Sequence, residues 1–320
     1  MFKKTSIILL SLVVVMATAV GGQAAEKKVL SIATGGTAGT YYAIGGGMAK
    51  LVSEYMPGYK LVVQSTGASI ENIHLVANKK VDFAIVMSDP AYFAYTGERE
   101  FKDKAKYPNL RAIMAGHTSL WQPAALESSG IKSIADLKGK KVALGAPGSP
   151  SKFGAIAAME AYGVMPGDYK DVYLTYAEMV QAIKDGTIDA SWVCAGIPTS
   201  SMLDLTSSSK INFLSIDAEK YPYIKKKHPY YGKSAIPANT YSGQEQQVPA
   251  ISTAGILITN TDLPEETIYL ISKTILEHTK ELGEVHKAGY LWKLESATEG
   301  VAIPFHPGAA KYLKEKGQLQ

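Results

Sequence analysis

Apolar positions along the chain follow two alternating periods. Short runs rich in β-branched residues, at 30–34, 61–65, 81–87, 141–145, 172–175 and 189–195, read as buried strands. Between them, 42–55, 69–78, 151–162 and 176–185 repeat apolar side chains every three or four positions, which predicts amphipathic helices. A long apolar stretch, 110–126, interrupts the alternation, and 133–139 reads as a short helix stopped by Gly139. Residues 90–108 are Tyr-rich and charged and predict an irregular or briefly helical excursion. Further on come a strand at 212–216, a polar loop at 237–247 and a strand at 250–258. Then 264–282 predicts one helix, with Pro264 near its first turn, Glu265 and Glu266 on its positive end and Gly283 after it.

Strands alternating with helices predict α/β domains on mainly parallel sheets. The stretch 110–126 carries the chain out of one domain and 250–258 brings it back. The expected partition is 26–115 with 251–320 as one lobe and 116–250 as the other. Ligands of open α/β sheets bind beyond the carboxyl ends of the strands, so a cleft between the lobes is the expected site.

Five strand ends share one grammar: glycine and small hydroxyl residues leading straight into a helix. They are Gly35-Gly36-Thr37-Ala38-Gly39-Thr40, Thr66-Gly67-Ala68-Ser69, Ser88-Asp89-Pro90, Ala146-Pro147-Gly148-Ser149-Pro150-Ser151 and Gly196-Ile197-Pro198-Thr199. A helix N-terminus presents unpaired N–H groups and partial positive charge, which favours a carboxylate, phosphate or sulfonate against it. Several such ends turned toward one cleft would form a receptor for a small anion.

At 320 residues the chain exceeds a usual single core. A net charge of +4 is too mild to argue for nucleic acid, and Lys225-Lys226-Lys227-His228 reads as a solvated helix face. Lys3 and Lys4 precede an apolar stretch at 7–20 and then small residues, the pattern of a secretory signal at 1–25 cut near Ala24 or Ala25. The sole cysteine, Cys194, forms no internal disulfide, and none sits at the cleavage point to carry a lipid. Export without disulfides fits a bacterial periplasm.

Within the first junction, Gly36 and Gly39 lack dinucleotide-fingerprint spacing, and Gln64-Ser65 rather than an acid ends the next strand. Nucleotide binding is disfavoured. Glycines there serve turns and packing, while Thr37, Thr40, Tyr41 and Tyr42 add hydroxyls suited to a ligand loop. Ser69 reads as a helix cap or a ligand contact, and Asn72, one turn on, faces the same opening. Ser88 and Asp89 fit a cap before a first-turn proline equally well. Ser149 and Ser151 offer hydroxyls and Lys152 a positive charge.

Ser149 to Lys152 spells S-x-x-K, the arrangement of an acyl-enzyme nucleophile, so a secreted serine hydrolase is an alternative. The same spacing recurs at Ser129 to Lys132 and Ser207 to Lys210, and no S-D-N or K-T-G partner exists. Six scattered histidines and one cysteine build no metal site, and no cofactor is expected. Trp121 and Trp192 either wall a pocket or pack a core. With Arg99 and Arg111 the only arginines, an arginine clamp on carboxylates is excluded. Recognition falls to N–H groups, hydroxyls, amides and Lys152.

The co-linear segments I-A-T-G-G-T-A-G-T-Y-Y, T-G-A-S-I-E-N-I, M-S-D, D-L-K-G-K-K-V-A-L-G-A-P-G-S, A-G-I-P-T, I-P-A-N-T-Y-S-G-Q and F-H-P-G-A-A-K-Y run from about Leu30 to Gly317. Together they resemble the TAXI family of solute receptors, which serve tripartite ATP-independent periplasmic (TRAP) transporters. The resemblance implies a type II periplasmic-binding-protein fold, monomeric and without catalysis, that captures a small organic anion for an ion-gradient-driven membrane permease. Its ligand contacts carry over to Thr37, Thr40, Tyr41 and Tyr42, beside which Gly36 is a further candidate contact, to Ser69 and Asn72, to Ser88 and Asp89, and to Ser149 and Ser151, with Gly196 and Pro198 shaping the fifth loop. The implied ligand is a C4 to C6 dicarboxylate or an acidic amino acid, such as 2-oxoglutarate or glutamate. Two departures bear on it: His117-Thr118-Ser119-Leu120-Trp121-Gln122 replaces a Tyr-Pro-Glu-like element, and Lys152 stands where the family often has an acid. A receptor of an ATP-driven importer for a sulfonate or heterocycle is the other reading.

Overall fold

The computed structural model describes residues 27–102 and 106–320, so the expected signal segment lies outside the described residues. The first strand, β1 (Lys28–Ala33), buries Leu30, Ile32 and Ala33 and runs into α1 (Thr40–Tyr55), whose Ile44, Met48, Leu51 and Val52 repeat at helical spacing and are buried. The same strand-then-helix step follows in β2 (Tyr59–Gln64) with α2 (Ser69–Ala77) and in β3 (Phe83–Met87) with α3 (Ser88–Thr96). The excursion expected over 90–108 is therefore helical at its start, ending where Gly97 turns left-handed.

The 17-residue β4 (Leu110–Leu126) then crosses to the second half. There stand β5 (Lys141–Ala143), α4 (Ser151–Ala161), β6 (Lys170–Val172), α5 (Tyr176–Lys184), β7 (Ala190–Ala195) and α6 (Ser200–Ser208). After β8 (Ile211–Phe213), α7 (Tyr221–Lys227) and β9 (Gly232–Ile236), the chain returns along β10 (Val248–Asn260). The first half is completed by α8 (Glu265–Glu277), α9 (Thr279–Val285) and α10 (Pro307–Glu315).

The sheet order is β2-β1-β3-β10-β4-β7-β5-β6, with β8 on β4 and β9 on β10. Pairing is parallel at the outer strands and antiparallel where β10 meets β3 and β4 and where β4 meets β7. Near Leu120 and Ser252 both long strands change partners. Before Leu120, β4 runs beside β10, and after it beside β7 and β8; β10 passes from β9 to β3. Buried apolar clusters around Ile44, Met48 and Trp292, and around Ile73 and Phe101, fill the first half. Others around Trp121 and Trp192, and around Met179 and Met202, fill the second. The result is a type II periplasmic-binding-protein fold, two α/β lobes with a cleft between them and two chain crossings.

One expected element is corrected. The helix predicted over 264–282 breaks at His278, whose backbone leaves helical angles (φ −116°, ψ 30°). Its ring N–H bonds the Thr274 carbonyl, and the Thr279 hydroxyl reaches the Trp292 carbonyl. The break turns α9 so that Leu282 packs onto Gly47 of α1, a tertiary demand that helical periodicity does not carry. Among the described residues no helix is long and apolar enough to cross a membrane.

Candidate functional site

The carboxyl ends of strands from both halves enclose a cavity of about 50 Å³, room for about four ordered waters. Gly35, Gly36, Gly39, Thr40 and Tyr41 line it from the first junction, and Thr66, Gly67, Ala68 and Ser69 from the second. Met87 closes it at the third, Ala146 and Ser149 at the fourth, and Cys194 and Ala195 at the end of β7. Thr175 and Tyr176, at the start of α5, complete the wall.

Among the described residues, no Asp, Glu, Lys, Arg or His lines this cavity. Burial pushes the Tyr41 and Tyr176 phenols and the Cys194 thiol upward, so all three are neutral near pH 7. Several lining carbonyls are already engaged. Gly35 accepts from the Ser65 hydroxyl (3.0 Å), Gly36 from the Gly39 N–H (2.9 Å), Ala146 from the Ser149 N–H (2.9 Å) and Cys194 from the Tyr176 hydroxyl (2.7 Å). By contrast, the N–H groups of Gly36, Thr40, Ser69 and Tyr176 donate to no acceptor among the described residues. The N-termini of α1 and α2 also lack a side-chain cap. The wall therefore offers donors and positive helix ends and few open acceptors.

Ala68 shows that the second junction is held under strain. Its backbone (φ 79°, ψ −153°) lies in a region that L-residues rarely occupy, at a cost on the order of 1–3 kcal/mol. Ala68, not Ser69, takes the cap position of α2, and the Ser69 hydroxyl instead accepts the Met87 N–H (3.1 Å).

Of the residues singled out in the sequence, Gly36, Thr40, Tyr41, Ser69 and Ser149 meet at the cavity. Ser151 stands directly behind: its hydroxyl donates to the Leu144 carbonyl (2.8 Å) and receives the Ser149 hydroxyl (3.0 Å). Gly196 also lies behind, its carbonyl accepting the Thr40 hydroxyl (2.8 Å), and half-buried Pro198 follows Ile197 through a cis bond. Thr37 is exposed and Tyr42 half-buried, both outside the wall.

Asn72 does not face the opening. Its amide donates to the Thr34 and Ile85 carbonyls (2.6 and 2.9 Å) and accepts the Thr66 hydroxyl (2.6 Å), lacing β1, β3 and the second junction together. Trp192 is fully buried in the second half's core. It shares a face of β7 with Cys194 but lies two residues, about 6.6 Å, further from the strand end. The Lys152 ammonium lies over the Phe153 and Tyr173 rings and makes no hydrogen bond to Ser149 among the described residues.

Ser88, half-buried, opens α3, and Asp89 belongs to a different crevice of about 220 Å³ with Phe93, Arg99, Glu100, Phe153, His228 and Tyr230. There its carboxyl accepts the Thr253 hydroxyl (2.9 Å), and burial raises it to about 7. Beneath Tyr41, the His117 ring stands edge-on at 5.4 Å and accepts the Trp292 indole N–H (3.0 Å). Burial lowers His117 to about 3 and keeps it neutral, and its second nitrogen and the Tyr41 and Ser119 hydroxyls lack aligned partners.

Tyr176 is the main contributor the sequence reading passed over. Its junction has no glycine, yet Thr175-Tyr176-Ala177-Glu178 is a capping box, with Thr175 and Glu178 bonded reciprocally. That pattern was the available signal. Among the described residues no group of three or more His, Cys, Asp or Glu is placed to hold a metal ion.

Solved structures with the same arrangement are distant in sequence. The periplasmic aliphatic sulphonate binding protein SsuA from Escherichia coli matches with a TM-score of 0.52 and 17% identity over 90% of this chain and 79% of its own. The binding protein component of an ABC phosphonate transporter from Pseudomonas aeruginosa matches at 0.51 and 13%, over 85% and 81%. A ligand-binding component of an ABC-type import system from Staphylococcus aureus, with zinc bound, matches at 0.51 and 12%, over 91% and 92%. These likenesses carry the fold; the sequence itself carries the family, because residues 32–317, from the first glycine junction to the last helix, match the NMT1-like family and the chain belongs to it.

Proposed function

We propose that this chain is an extracytoplasmic solute receptor that closes its two lobes over a small organic anion and hands it to a membrane permease. The observation that carries the reading is the cavity wall, where the open ends of α1 and α2 and the Tyr176 N–H of the other half present unpaired N–H groups, and where no charged side chain among the described residues lines the cavity. Such a wall stabilises negative charge by dipoles and leaves release possible, as a carrier between membrane components requires. The fold shared with proteins described as binding sulphonate and phosphonate supports an anionic ligand. The leader-like pattern at 1–25 supports export to the periplasm.

The resemblance to TAXI receptors makes a TRAP permease the first reading, with a C4 to C6 carboxylate as cargo. The ABC context of two structural relatives supports the second, an ATP-driven importer. Uptake of labelled ligand by cells expressing the receptor and its permease separates the two: collapse of the ion gradient stops the first and ATP depletion the second. Binding is read as thermal stabilisation, about 2.7 kcal/mol at 100 times the dissociation constant. Turnover of an activated ester, abolished by Ser149→Ala, would instead favour a hydrolase.

A further inference from the structure

We propose that the cavity selects anions that carry no ammonium group, taking short oxo- or hydroxy-acids and refusing the amino acids of the same skeleton. This rests on the receptor reading and narrows its ligand class.

An ammonium group brings three donors and a positive charge, and desolvating it costs several kcal/mol unless oxygen acceptors surround it. Among the described residues the wall supplies no carboxylate. The nearby Glu71 carboxylate is turned to the Gly67 N–H (2.6 Å), and Asp89 faces the separate crevice and accepts from Thr253. Carbonyls are the remaining candidates: those of Gly35, Gly36, Ala146 and Cys194 each already receive a donor, as does Ala195 from the Gln122 amide (3.3 Å), which leaves only scattered neutral oxygens such as those of Thr66 and Gly67 among the described residues. The open ends of α1 and α2, with the unpaired Tyr176 N–H at the start of the capped α5, set a positive field across the same space, repelling a cation as they attract a carboxylate.

A separate observation points to the neutral end of the ligand. Tyr41 is 8% exposed and lines the cavity, and its hydroxyl is buried beside Ser119 without an aligned partner. A phenol O–H left without an acceptor matches a keto or hydroxyl oxygen and gives nothing to an ammonium. Burial keeps that phenol protonated, so the donor persists at physiological pH. The small volume fits a compact skeleton.

The test is calorimetry on the exported protein with three matched pairs: 2-oxoglutarate and L-glutamate, L-malate and L-aspartate, isethionate and taurine. In any pair that binds, the oxo or hydroxy member should bind about 100-fold or more tightly than its amino counterpart. Tyr41→Phe should weaken that member about tenfold and leave the amino member's affinity unchanged. An amino member binding as well or better overturns the selectivity and leaves the receptor reading standing. Equal loss for both members on Tyr41→Phe overturns the role given to Tyr41. If none of the six binds, the receptor reading falls and the selectivity with it.

Discussion

Gly148 and Gly67 touch backbone to backbone across the cleft. A Cβ built on Gly148 would stand 2.8 Å from the Gly67 carbonyl oxygen and 3.2 Å from its carbon, and three residues on, the Ile70 N–H donates to the Gly148 carbonyl (3.1 Å). The rims of the two halves thus meet this closely because Gly148 carries no side chain. On the other side of the cavity, the Ser201 N–H and the Thr199 hydroxyl both reach the Ala38 carbonyl (3.3 and 3.2 Å).

Replacing Gly148 with alanine should therefore prop the rims apart. Neither oxygen nor carbon of Gly67 can yield as a flexible side-chain tip would. We expect the dissociation constant for 2-oxoglutarate to rise about tenfold, while small-angle scattering shows a larger radius of gyration and the melting temperature of the empty protein barely moves.

Tyr41→Phe should separate folding from binding. Removing a buried hydroxyl that lacks an aligned partner relieves a desolvation cost, so the empty protein should be unchanged or stabilised by up to about 1 kcal/mol in urea unfolding. A loss of stability would show that Ser119 or an ordered water satisfies the phenol.

Asp89 gives a pH-dependent signature. The fold raises its carboxyl from 3.8 to about 7, so the folded protein holds this proton more tightly than the unfolded chain. The favourable contribution is present below about pH 4 and is lost as pH rises toward 7, with a ceiling of about 4 kcal/mol. Asn keeps an acceptor for Thr253 and cannot ionise. The stability of Asp89→Asn minus that of the natural protein should be near zero at pH 4 and clearly positive at pH 8. His117, lowered to about 3, titrates in the opposite sense but is common to both proteins and cancels in the difference.

Trp192→Phe should cost about 1–2 kcal/mol of stability through lost packing and leave ligand affinity within twofold. Urea unfolding and calorimetry on one preparation read both quantities. A large affinity loss at unchanged stability would return Trp192 to the binding wall.

The strands, their order of appearance and the glycine junctions were legible because β-branched runs and glycine clusters mark local backbone states that need no partner. Convergence at the cavity followed from the rule that α/β loops gather at strand carboxyl ends. Facing was harder to read. Asn72 sits one helical turn from Ser69, yet which neighbour its amide meets depends on β1 and β3, far away in sequence. Trp192 shares its strand face with Cys194, and only depth along β7 separates a core residue from a wall residue. Tyr176 escaped because its junction announces itself by a capping box rather than by glycine.

The two strands that link the halves are hydrogen-bonded neighbours from Leu110 and Asn260 to Leu120 and Ser252, with register shifts at Ala254/Ile256 and Leu257/Ile258. Separate tethers would let the halves swivel and slide independently. Laced side by side, they behave as a sewn spine: the molecule flexes along one arc, and each return brings the same facing edges back into registration.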